Sequence, residues 1–102
     1  MGAQPIVRST EFKDFRVELR LGRDILGNCQ VLGGTLRNHA NRPLGFIYGA
    51  LIAIDQTGRT VSTASLNFGP TDNGGTSEIV AISSTSFKAT PCDDLKLEYR
   101  LT

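Results

Sequence analysis

The chain has 102 residues, enough for one small domain and too few for two. Hydrophobic residues make up 39% and charged residues 21%, which excludes a disordered chain, and the longest apolar run, Leu44 to Ile54, is too short and too glycine-broken to cross a bilayer as a helix. The formal net charge is +1 and no window collects lysine and arginine, so nothing in the charge pattern supports nucleic-acid binding.

Residues 1–11 show no periodicity and read as a flexible lead-in to a single domain over 12–102. The start, MGAQPIVRSTEF, lacks the charged and apolar regions of a secretory signal. That fits either a cytoplasmic protein or a mature secreted or periplasmic chain with Met1-Gly2 as an added start. Ile6 stands where N-myristoylation of Gly2 needs Ser or Thr.

Phe15, Val17, Leu19 and Leu21 alternate with Arg16, Glu18 and Arg20, the period of a strand buried on one face. Phe12, Phe15 and Leu19 also fall near one helical face, but the alternation is unbroken and no helix cap precedes it. Gly22-Arg23-Asp24 reads as a turn or short extension, Ile25-Leu26 as apolar, and Gly27-Asn28 as a second turn. Cys29 to Asn38 is the next strand. In regular alternation Leu32, Gly34, Leu36 and Asn38 share one face, and Cys29, Val31, Thr35 and Arg37 the other. Gly33-Gly34 points to a bulge or a close approach, and a bulge would shift that phase, so the face of Cys29 is left open.

His39 to Pro43 is a connecting loop, with Pro43 restricting Arg42 to extended backbone. Leu44 to Asp55 is apolar on both faces. Gly45, Gly49 and its aromatic and β-branched residues make it a strand, either central in a sheet or with one face on a partner. Asp55-Gln56-Thr57-Gly58 is a turn. Strands follow over Arg59–Phe68 and Ser77–Ser83, separated by the polar loop 69–76. Ser84 to Thr90 reads as an irregular crossover, and Leu95, Leu97, Tyr99 and Leu101 alternate with charged residues in a closing strand. About six or seven strands with turns every ten residues or so, and no convincing helix, predict an antiparallel immunoglobulin/fibronectin III-like β-sandwich.

Cys29 and Cys92 form no CxxC pair, and the single His39 cannot complete a zinc site with them. In a small β domain two cysteines read as one disulfide formed in an oxidising compartment. The alternative is two separate buried thiols, which the polar setting of Cys92, Thr-Pro-Cys-Asp-Asp, fits poorly.

Gly34-Thr35-Leu36-Arg37-Asn38, the pair Pro43-Leu44, and an apolar run ending Ile54-Asp55-x-x-Gly58 together resemble the FxLYD-type domain. That pattern is shared with extracytoplasmic bacterial sandwiches and the plant desiccation (LEA-2, WHy) domains. Gly74-Gly75-Thr76 before Ser77–Ser83 is similar to a turn of those domains. The resemblance spans about half the chain, and Ala53-Ile54-Asp55 departs from the aromatic signature. It implies a fold, and a non-catalytic secreted or cell-envelope accessory domain.

Catalytic chemistry finds little footing. His39 lies in a polar turn, Asp93-Asp94 are adjacent and read as turn residues, and Asp72-Asn73-Gly74 lacks the alternating ligands of a calcium loop. No cofactor or metal is expected. What remains is surface. His39, Asn41 and Arg42 form a candidate recognition loop. Phe46, Tyr48 and Ile52 on one face of the apolar strand, or Ile47 and Leu51 on the other, form a candidate binding or self-association surface. The expected function is a non-catalytic secreted or periplasmic protein-interaction module, with a homodimer formed by strand pairing or swapping as one form. The alternatives are a periplasmic chaperone- or adhesin-like sandwich that captures a partner strand, and a purely structural envelope domain.

Overall fold

The computed structural model describes residues 6–83, 86–87 and 92–102. Its strands are β1 (Ile6–Glu11), β2 (Phe15–Arg23), β3 (Cys29–Asn38), β4 (Ile47–Ile54), β5 (Thr60–Phe68), β6 (Thr76–Ile82), β7 (Ser86–Phe87) and β8 (Lys96–Leu101), with a 3-10 turn at Cys92–Asp94. Among the described residues there is no α-helix, and none long and apolar enough to cross a membrane. Every pairing is antiparallel, in the order β1-β2-β3-β6-β5-β4-β8, with β7 on β3 beyond the end of β6. Strands β4, β5 and β6 are joined by hairpins, and β3 lies beside β6, which is a Greek-key arrangement. The end strands β1 and β8 return toward each other, so the sheet nearly closes on itself.

The flexible lead-in expected over 1–11 is corrected for residues 6–11, which form a strand, and its residues 1–5 lie outside the described residues. The alternation in β1 carried no apolar contrast, because Ile6, Arg8 and Thr10 take the inner face opposite Leu21, Leu19 and Val17. An inward arginine on an end strand discourages edge-to-edge pairing with another sheet. Strand β2 runs on through Gly22 and Arg23, so the expected double turn contracts to one tight turn at 24–28.

The core is the inward register of these strands: Phe15, Val17, Leu19 and Leu21 from β2, Cys29, Val31 and Leu36 from β3, Leu51 and Ala53 from β4, Leu66 and Phe68 from β5, and Phe87. The bulge that Gly33-Gly34 announced lies opposite Arg20/Leu21 and takes Leu32 out of phase. Cys29 and Val31 therefore point inward together with Gly34, Leu36 and Asn38, and Leu32 points out. Cys29 bonds to Cys92 across a sequence separation of 63 residues, with Cα atoms 4.7 Å apart, and both cysteines are buried.

Tyr99 joins the two ends of the sheet. Its ring lies over Gly49 of β4, where any Cβ would collide with it. It meets Phe68 edge-on at 5.7 Å and Phe12 edge-on at 6.1 Å, and Phe12 stacks on Phe15 at 4.7 Å. Its hydroxyl donates to the Leu66 carbonyl at 2.8 Å. Burial pushes that hydroxyl up to about 12, above its ordinary 10. The fold favours the neutral phenol, so this contribution is complete below pH 10 and is lost as pH rises toward 12. Denaturant midpoints at pH 8 and pH 11 should show the wild-type protein losing about 1 kcal/mol at the alkaline value relative to Tyr99→Phe. Equal losses in both proteins would show that Tyr99 does not govern the alkaline limb.

Candidate functional site

Strand β4 sits between β5 and β8, and its two faces go to different solvents. Gly49, Leu51 and Ala53 point into the core, and Ile47 packs against its rim. Tyr48, Ala50, Ile52 and Ile54 point outward. The five residues singled out in the apolar run are therefore divided. Leu51 is fully buried in the core and Ile47 is half-buried against it, whereas Phe46 and Tyr48 are 53% and 56% exposed. Ile52 is half-buried on the outer face. The Phe46 and Tyr48 rings stack 6.3 Å apart at the start of β4.

The neighbours on this outer face are polar. On β5, Asn67, Ser65 and Thr63 lie opposite Tyr48, Ala50 and Ile52, with Val61 exposed at the bulge beyond them. On β8, Arg100, Glu98 and Lys96 lie opposite Ala50, Ile52 and Ile54. Glu98 bridges Arg100 at 2.6 Å and Lys96 at 3.2 Å, and the Arg100 and Lys96 hydrogen bonds hold its carboxyl below the usual range. The result is an apolar stripe between an uncharged polar rail and a charged rail.

Phe46 also adjoins the pole where the loops 11–15, 38–46 and 68–76 meet. Asn38, buried at 1% exposure, ties that pole together. Its Nδ2 donates to the carbonyls of Arg42 at 2.8 Å and Asp72 at 3.0 Å, and its Oδ1 accepts from the Ala40 amide at 2.8 Å. Leu44 and Thr71 exchange two backbone bonds of 2.9 Å beside it. The expected recognition loop is thereby braced. Arg42 pairs with Asp14 at 3.1 Å, the His39 amide donates to the Asp14 carbonyl at 3.0 Å, and His39 Nε2 lies 3.6 Å from Glu11. Asn41 is exposed in the left-handed region at φ 62°. This loop can offer charge and hydrogen bonds from a fixed backbone.

Two apolar features escaped the sequence reading. Ile25 and Leu26 stand out at the tip of the β2–β3 turn, and Leu32 lies on the outer face through the bulge. The dipeptide Ile25-Leu26 was visible as apolar, but nothing in its spacing said that it faces water. Comparisons with protein-family models, with curated proteins and with solved structures return no match. The likeness to the FxLYD-type domain therefore rests on the residues that carry it.

Proposed function

We propose that this protein is a non-catalytic interaction module of a secreted or periplasmic compartment, built as an immunoglobulin/fibronectin III-like sandwich, which offers the outer face of β4 to a protein partner. The observation that carries the reading is the Phe46–Tyr48–Ile52–Ile54 stripe, left on the solvent side while both neighbouring strands turn polar residues to the same side. Apolar stripes with polar rims are the anatomy of protein interfaces, and exposed aromatics are their usual anchors. The Cys29–Cys92 disulfide supports an oxidising compartment. The sandwich reading is supported by β6, which pairs with β3 through Thr76–Glu78 and with β5 through Ile79–Ile82, as a strand shared between two layers does.

Phe46→Ser/Tyr48→Ser is the test, because both side chains are exposed and their loss leaves the core intact. Partner capture from an envelope fraction should fall by at least roughly thirtyfold, the loss expected if only one of the two aromatics is an anchor, with an unchanged thermal midpoint. Equal capture by the variant and the wild-type protein would remove this face from the function.

A second reading, capture of a partner strand, draws on the open edges of β1 and β8, which approach each other without a ladder between them among the described residues. The inward Arg8 and the Lys96–Glu98–Arg100 rail weigh against it.

A further inference from the structure

Strand β1 is fastened to β2 by an antiparallel ladder over its 6 residues and by little else. The ladder sets Ile6, Arg8 and Thr10 opposite Leu21, Leu19 and Val17 on the inner face. Those three β2 residues are buried core, yet of their partners on β1 only Ile6 packs against it. Arg8 is half-buried over Leu19, and its guanidinium makes no ion pair or hydrogen bond among the described residues. A half-buried cation without an acceptor is unfavourable where a β-branched side chain would be stabilising. The outward residues of β1 add only exposed contacts. Arg16 reaches Ser9 at 3.2 Å and Glu11 at 3.7 Å, and such surface contacts are weak in water. On its other side β1 has no ladder among the described residues.

Strand β2 is the opposite case. It pairs with β3 from Phe15 to Arg23 and sends an unbroken apolar register into the core, so it stays in place when β1 leaves. Elements with few buried apolar contacts open at lower free energy than the core they cover. Departure of β1 exposes a strand edge, with its row of amides and carbonyls, beside Leu21, Leu19 and Val17. The shape that fits this edge is visible, because β1 occupies it: an extended antiparallel segment. The side chains that fit it best are not those of β1, since Arg8 and Thr10 hold two of the three positions that face the core.

We infer that β1 is a displaceable strand. The β2 edge beneath it receives an extended segment of a partner protein with apolar residues at the positions now held by Ile6, Arg8 and Thr10. The main-chain bonds of β1 are exchanged for those of the incoming strand, and the difference in affinity comes from the side chains that face Leu19 and Val17. Arg8 blocks addition outside β1, and the same residue loosens β1 for replacement. The exchange uses no residue of the β4 stripe, so it holds or fails independently of the partner face proposed above.

Native-state hydrogen exchange should show the β1 amides opening at denaturant concentrations well below those that release β5. The probe for the exposed edge is a labelled synthetic peptide of the Ile6–Glu11 sequence carrying Arg8→Val and Thr10→Val. It should bind the full chain about thirtyfold tighter than the unsubstituted peptide, and its binding should strip protection from the chain's own β1 amides. The same two substitutions placed in the chain itself should weaken peptide uptake by a similar factor and raise the thermal midpoint. Phe46→Ser/Tyr48→Ser should take up the peptide like the wild-type protein. The inference is overturned by β1 amides that exchange only with global unfolding, or by a peptide that does not bind at about 1 mM. A peptide that binds without releasing β1, or whose uptake depends on Phe46 and Tyr48, also overturns it and places the peptide on another surface.

Discussion

Reduction of the Cys29–Cys92 disulfide is expected to lower the thermal midpoint by roughly 15–30 °C. The bond closes a loop across 63 residues, and its loss returns about 4 kcal/mol of chain entropy to the unfolded state. A domain of this length is stable by roughly 5–15 kcal/mol in all, so the crosslink is a large share of the total. Each kcal/mol is worth about 4–8 °C in a domain of this size. The location adds to the effect. Cys29 opens β3, and Cys92 begins the 3-10 turn that leads into β8, so the bond ties the last strand to the opposite side of the sheet. Both sulfurs lie in the core beside Phe87, so Cys29→Ala/Cys92→Ala also leaves a small void. Calorimetry with and without reductant checks this. The double variant should melt near the reduced wild-type protein and ignore the reductant. A wild-type midpoint that moves by less than about 5 °C would mean that the bond contributes little.

Asn38→Ala is expected to cost about 3 kcal/mol, and Asn38→Asp to cost a comparable amount at neutral pH and less in acid. The asparagine makes three side-chain hydrogen bonds to backbone from a buried position. Alanine strands the Arg42 and Asp72 carbonyls and the Ala40 amide together. Aspartate keeps the acceptor for Ala40 but aims a carboxylate oxygen at two carbonyl oxygens. Its folded-state pKa must therefore rise above that of the unfolded chain. Stability is then highest below the unfolded value and falls as pH rises through the folded one. Urea midpoints at pH 4 and pH 7 separate the cases. Asn38→Asp should recover relative to Asn38→Ala at the lower pH, and two variants with the same pH dependence would contradict the donor roles assigned to Nδ2.

The sequence announced those parts of the fold where alternation had contrast. Strands β2 and β8 carry apolar and charged residues in strict turn, and both form within a residue or two of their expected bounds. Strand β1 was invisible because its inner face holds an arginine and a threonine, so burial there leaves no hydrophobic period. The faces of β3 depended on one residue. Gly33-Gly34 announced a bulge, but only pairing with β2 shows that Leu32 is the residue displaced. In β4, where both faces are apolar, composition marked the strand but could not say that Leu51 is core and Tyr48 is surface. The polar loops were legible as loops, and their joint bracing by Asn38 was not, since Asn38 and Asp72 are far apart in the chain. The crossover expected over 84–90 falls partly outside the described residues. Within it, β7 brings Phe87 back onto β3 and into the core.

With no tryptophan and only two tyrosines, the chain carries its own pair of optical reporters. Tyr99 is immobilised among Phe12, Phe68 and Gly49, and Tyr48 lies in the solvent at the start of the adjacent strand. Near-ultraviolet dichroism therefore follows the closure of the sheet through the first, while iodination or collisional quenching reads the β4 stripe through the second. Events inside the fold and on its partner face can be told apart in one unlabelled sample.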